Sequence, residues 1–139
     1  MAGPFLADLI RRWFRSTPRT IDDARWRRVR QRARWISSLD EGRDARLQDL
    51  SARFLRHKTI TALSGLQLDD DDRTLLAALC CLPLLEFGAE GLHGWSQLLV
   101  YPDAFRVNRS HVDAAGVLHE WEDELIGEAL GSGPMVLSW

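Results

Sequence analysis

The chain has 139 residues, of which 45% are hydrophobic and 27% are charged, and its net charge is only -2. This composition excludes an intrinsically disordered chain and suits one soluble domain with a modest core. Residues 74–85 form an uncharged run as long as any in the chain, and this run is too short for a transmembrane helix, which needs about 20 residues. The cysteines Cys80 and Cys81 are adjacent, so we expect reduced, buried thiols and a cytoplasmic location.

Two helices are predicted in the first half of the chain. Residues 1–20 contain a short amphipathic stretch followed by Ser16-Thr17-Pro18, and we interpret them as a leader or a short docking helix. Apolar residues at spacings of three and four then predict a helix over Ile21–Ile36 and another over Asp40–His57.

A strand and a buried helix follow. The β-branched run Thr59–Leu63 predicts a strand closed by Gly65. Residues 69–87 predict a helix that is apolar nearly all round, as in a buried leucine-rich helix, with four aspartates at its start. Pro83 lacks an N–H and is expected to kink that helix or shift its last turn.

The period changes after Gly94, and short strands are predicted instead of helices. Residues 97–101 are the clearest strand, with weaker candidates at 117–121 and 125–130. Residues 133–139 indicate a loop that enters a strand, with the chain ending inside it. Because a bare apolar strand needs partners, we interpret this ending as the cut edge of a larger domain, with an open face prone to self-association.

One segment looks like a zinc-binding helix at first sight. In HExxH, two histidines one turn apart bind one metal ion and the glutamate acts as a base. The segment beginning at His119-Glu120 has Asp123 where the second histidine belongs, so an acidic surface turn is the better interpretation. Ligand spacing is also missing among His57, His93 and His111, so no metal site is predicted.

Residues 25–35 hold six arginines interleaved with two tryptophans, a pattern typical of nucleic-acid binding. The alternative is a structural helix that buries its apolar face and exposes its arginines. The regular spacing of Trp26, Val29, Ala33 and Ile36 favours this second interpretation, so nucleic acid is not an expected partner.

Four stretches of the chain stand out by their order and spacing. They are Leu50-x-x-Arg53-Phe54-Leu55-x-x-Lys58, Ala78-x-x-Cys81-Leu82-Pro83-x-Leu85-Glu86-Phe87-Gly88, Leu99-Val100-Tyr101-Pro102-x-x-Phe105, and Gly127-Glu128-Ala129 followed by Gly133-Pro134-Met135-Val136-Leu137-Ser138-Trp139. Taken together, from about Trp26 to the last residue, they resemble the Mlc titration factor A family of zinc-dependent peptidases.

The resemblance implies an α+β fold in which N-terminal helices precede short strands of a zincin-like sheet, with residues 21–139 as the N-terminal part of one cytoplasmic, aminopeptidase-like metallopeptidase domain. The family's HExxH segment follows the Leu-Ser-Trp strand and has no counterpart here. No catalytic or metal residue is therefore predicted, and the chain alone is expected to bind no zinc and to be inactive, with zinc and peptide substrate belonging to the complete enzyme.

The resemblance also suggests a peptide-binding strand and a protein partner. An edge strand near the zinc helix pairs with the substrate backbone in zincins, and Met135, Val136, Leu137, Ser138 and Trp139 are the candidates for that strand. The family member that gives the name also binds the glucose repressor Mlc. A non-catalytic module that binds such a transcription repressor is the alternative function.

Overall fold

The computed structural model describes residues 20–131 and 133–139, so almost all of the predicted leader lies outside the described residues. These residues form helices and mixed strands, and the predicted α+β class is confirmed. They divide into two compact units, a helical unit of residues 20–57 and 69–92 and a sheet unit of residues 58–68 and 93–139.

The helical unit begins with α1 (Asp23–Arg32), α2 (Arg34–Ser37) and α3 (Glu41–His57). The side chain of Asp22 caps α1 by accepting the Arg25 N–H at 2.8 Å. The predicted helix over Ile21–Ile36 is wrong in one respect: it breaks at Ala33, whose extended backbone (φ -125°, ψ 96°) separates α1 from α2.

Helix α4 (Asp70–Cys81) is the predicted buried helix, and α1 and α3 both pack on it. Asp69 and Asp72 form a reciprocal capping box at its start. The helix ends earlier than predicted, because Pro83 cannot donate a main-chain hydrogen bond and the chain tightens into a 3-10 helix, Leu82–Leu84. A second 3-10 helix spans Ala89–Leu92.

An apolar core holds the helices of this unit together. Its fully buried members come from each of the four α-helices in the described residues and include side chains that the predicted helical spacing placed on one face. The largest of them are Val29, Ile36, Leu47, Phe54, Leu76 and Cys81.

The sheet unit contains a four-stranded sheet with the order β1-β2-β6-β5. Its strands are β1 (Thr59–Ala62), β2 (Gln97–Tyr101), β5 (Gly127–Ala129) and β6 (Met135–Ser138). Strands β1, β2 and β6 are parallel, and β5 runs antiparallel to β6. The central positions Leu98 and Val100 are fully buried, as expected for an inner parallel strand.

A two-stranded hairpin, β3 (Phe105–Val112) and β4 (Leu118–Leu125), lies between β2 and β5 in sequence. The weaker strand candidates at 117–121 and 125–130 correspond approximately to β4 and β5, whereas β3 was not predicted. The segment His119–Asp123 is therefore part of a strand and not the predicted surface turn. Among the helices of the described residues, none combines the length and the hydrophobicity that a membrane span requires.

Candidate functional site

The predicted substrate strand lies inside the sheet. Strand β6 pairs with β2 on one side and with β5 on the other, and the Trp139 N–H donates to the Tyr101 carbonyl at 2.7 Å. A peptide needs an open backbone edge to add to a sheet. The placement of Met135–Trp139 on an edge strand is therefore corrected: the strand at that end of the sheet is β5, which covers the side of β6 that a peptide would need.

The outer side of β5 carries unused backbone groups. Hydrogen bonds from Ser138 N to Ile126 O (2.9 Å) and from Leu130 N to Pro134 O (3.4 Å) fix which residues bond to β6. Because bonded and non-bonded pairs alternate in an antiparallel ladder, Gly127 and Ala129 direct their N–H and C=O groups away from β6. No strand of the described residues pairs with that side of β5.

Small and apolar side chains surround this edge. Gly127 and Ala129 are exposed and leave the backbone accessible. Ile126 and Leu130 flank them and are 76% and 47% exposed. The edge therefore combines main-chain hydrogen-bonding groups with apolar surface at both ends, the two features that a bound extended peptide uses.

A charged cluster joins the hairpin to β5. Arg109 of β3 donates from Nη2 to Glu128 Oε1 at 2.7 Å, and its Nε lies 3.0 Å from Asp123 Oδ2. Trp121 Nε1 donates to the same Asp123 oxygen at 3.0 Å. The hydrogen bond to Glu128 is the main reason that the pKa of Arg109 is raised above its ordinary value, so Arg109 is a permanent cation in this cluster.

The hairpin turn is held by a second carboxylate. Asp113 Oδ1 accepts the N–H groups of Ala115 and Val117, and its Oδ2 lies 2.9 Å from His119 Nε2. The contact with His119 is the largest of several that lower the pKa of Asp113. Gly116 has φ +80°, a conformation that suits glycine in such a turn.

The residues of the HExxH-like segment cannot converge on a metal ion. Side chains alternate along β4, so His119 and Glu120 lie on opposite faces, and His119 and Asp123 are about 13 Å apart along the strand. His111 lies directly opposite His119, but a catalytic zinc needs about three protein ligands. Within residues 20–131 and 133–139, no three His, Cys, Asp or Glu side chains are placed to hold a metal, so these residues do not fit a zinc site.

The arginine-rich helix is paired with the aspartates of α4. Arg28 makes two hydrogen bonds to Asp71, of 2.7 and 2.9 Å, and Arg32 Nη2 lies 2.8 Å from Asp72 Oδ1. These contacts support the structural interpretation of the helix, because both arginines already have carboxylate partners.

The helical unit contains a small cavity of about 160 Å³, whose lining includes the apolar Ile21 and Leu55 and the charged Arg56, Asp70 and Arg73. Ligand pockets usually measure about 300–1,000 Å³. The size of this cavity suits a single side chain better than a peptide.

Comparison with known proteins agrees with the resemblance noted from the sequence. The family model of the glucose-regulated metallo-peptidase M90 matches residues 8–139. Mlc titration factor A of Enterobacter sp. (strain 638) and of Klebsiella pneumoniae (strain 342) are each 36% identical over 104 residues, which cover 75% of this chain and 39% of the relative. The chain thus aligns with about two fifths of the length of these relatives, and it belongs to the glucose-regulated metallo-peptidase M90 family.

Proposed function

We propose that this chain supplies the N-terminal framework of a zinc-dependent, aminopeptidase-like peptidase, and that the outer edge of β5 binds the backbone of the peptide substrate. The observation that carries the proposal is the open edge at Gly127 and Ala129 in a chain of a metallopeptidase family.

The role of β5 rests on hydrogen-bonding capacity. An extended peptide that adds to a sheet edge gains main-chain hydrogen bonds, and pockets or apolar patches beside the edge select its side chains. Gly127 and Ala129 each offer one donor and one acceptor, and Ile126 and Leu130 offer apolar contacts. Strand β6 lacks such free groups because both of its sides are paired.

Zinc in the complete family enzyme would polarise the scissile carbonyl and activate water. The described residues contribute no fitting ligand set, so their part is to bind and orient the peptide. We therefore expect the 139-residue chain by itself to hydrolyse no peptide.

The proposal is tested by titrating the full chain with a neutral, capped hexapeptide while recording amide NMR spectra. We expect shifts concentrated at Gly127–Ala129, with cross-peaks between the peptide and β5. An Ala129→Pro variant removes one outward N–H without removing a ladder bond to β6, so it should bind more weakly, whereas Ala129→Ser should bind normally. Shifts confined to β1, or equal binding by all three proteins, would contradict the proposal.

A second candidate function is binding of a Mlc-like transcription repressor in the cytoplasm. The name of the similar proteins, Mlc titration factor A, motivates it, and the free thiols of Cys80 and Cys81 suit a reducing compartment. Size-exclusion chromatography of the chain with a purified Mlc repressor would show a joint peak if the proposal holds and two separate peaks if it fails.

A further inference from the structure

Arg109 connects the hairpin to the edge strand β5 through a side-chain hydrogen bond. It lies in the middle of β3 and contacts Glu128, the central residue of β5. Glu128 also pairs with Val136 of β6 in the sheet, so one residue of β5 is joined to β6 through its backbone and to the hairpin through its side chain.

The geometry of the Arg109–Glu128 contact favours a fixed position of β5 relative to the hairpin. A guanidinium is planar and can bind two carboxylates at once through different N–H groups. Here Arg109 uses Nη2 for Glu128 and Nε for Asp123, which lies on the neighbouring strand β4. The side chains of Arg109 and Glu128 are 37% and 21% exposed, so the pair is partly shielded from water.

We propose that Arg109 is a positioning residue of the peptide-binding edge, which fixes β5 through Glu128 and keeps the Glu128 carboxylate from attracting basic peptides. This inference rests on the proposed function of β5. In this proposal the Arg109–Glu128 pair determines which peptides bind. With Arg109 present, the edge accepts neutral peptides. Without Arg109, the negative charge of Glu128 is uncompensated and favours a lysine-containing peptide.

The chain offers a matched control. Arg106 lies on the same strand but on the opposite face, where its Nη1 is 3.6 Å from Glu122 Oε1. Arg106→Gln therefore removes the same charge without touching Glu128, whereas Arg109→Gln removes the contact. Arg109→Lys keeps the positive charge but loses the planar guanidinium that binds two carboxylates through different N–H groups.

The experiment has two readouts on the full chain, the exchange rate of the Glu128 amide without peptide and the binding of two capped hexapeptides that differ only by lysine or norleucine. For Arg109→Gln we expect faster exchange at Glu128, about threefold to tenfold weaker binding of the norleucine peptide and a shift in preference toward lysine. Arg109→Lys should recover the neutral preference, and Arg106→Gln should match the wild type.

The outcomes separate this inference from the proposed function. Unchanged exchange and unchanged preference in Arg109→Gln would overturn the role of Arg109 even if peptide binds to β5. A third outcome is faster exchange of the Glu128 amide in Arg109→Gln with no peptide binding by the wild type. Arg109 would then still be the residue that fixes β5, but both its specificity role and the proposed function would be overturned.

Discussion

Replacing Trp26 with alanine tests whether the arginine-rich helix is part of the core. Trp26 is 3% exposed in α1, and its Nε1 donates to both oxygens of Asp44, each at 3.3 Å. The substitution removes a buried aromatic side chain and one polar contact with α3.

The cost follows from the buried area. An aromatic side chain buries about 150–250 Å², worth about 4–6 kcal/mol at about 25 cal/mol per Å². Residual compactness of the unfolded chain lowers this value by about 10–40%. We therefore expect Trp26→Ala to lower the free energy of unfolding by about 3–5 kcal/mol, the range known for large core aromatics.

Urea unfolding followed by far-UV circular dichroism at pH 7 measures this loss. Trp26→Phe keeps an aromatic ring buried but removes the N–H and part of the indole, so it should cost more than the about 1 kcal/mol of one hydrogen bond and clearly less than Trp26→Ala, with Asp44 still 3.2 Å from Arg30 Nε. Trp35→Ala is the matched control, because Trp35 is only partly buried and its loss should be clearly smaller. A loss in Trp26→Ala no greater than that in Trp35→Ala would refute the packing of α1.

Three further predictions concern the helical unit. Asp69→Ala removes the N-cap of α4 and should lower the free energy of unfolding by about 0.5–2 kcal/mol in the same urea assay; no change would contradict the cap. The hydrogen bond from Arg28 is the first cause of the lowered pKa of Asp71. The stability that Asp71 adds is therefore present above its ordinary pKa of 3.8 and is lost as pH falls through its lower folded value, so wild type and Asp71→Asn should differ at pH 7 and converge in acid. Nucleic acid should bind no tighter than about 1 µM at physiological salt, without sequence preference, because several arginines of α1 are paired; specific submicromolar binding in a fluorescence anisotropy titration would contradict this.

The helices were predictable because their signals are local. The spacing of Leu47, Leu50 and Phe54 marks one helical face, and Asp40 caps α3 by accepting the Arg43 N–H at 2.9 Å. The break at Ala33 was not predictable, because nothing in its local sequence interrupts the helical period.

The candidate site was less predictable because strand order is a tertiary property. The apolar run Met135–Ser138 identifies a strand, but its position between β2 and β5 depends on pairing with residues far away in sequence. Strand β3 was missed because it carries mostly polar residues, although Phe105 and Val107 alternate and a turn at residues 113–116 precedes β4. That turn was the signal that would have revealed the hairpin.

Ion pairs between helices were also not predictable, because they too depend on tertiary packing. The four aspartates that begin at Asp69 were expected to stabilise a helix start through the helix dipole, and Asp69 does cap α4. The other three aspartates, Asp70 to Asp72, pair with arginines of α1, and that pairing depends on how α1 packs on α4, which helical periodicity does not specify.

The most direct test of the proposed role is the zinc content and peptidase activity of the purified 139-residue chain after incubation with zinc and removal of free metal. We propose that the described residues supply a framework and a peptide-binding edge, and no three of their His, Cys, Asp or Glu side chains are placed to hold a metal ion. We therefore expect substoichiometric zinc and no chelator-sensitive hydrolysis of an aminoacyl substrate. One zinc ion per chain, lost on replacing His119 and accompanied by chelator-sensitive hydrolysis, would contradict this role.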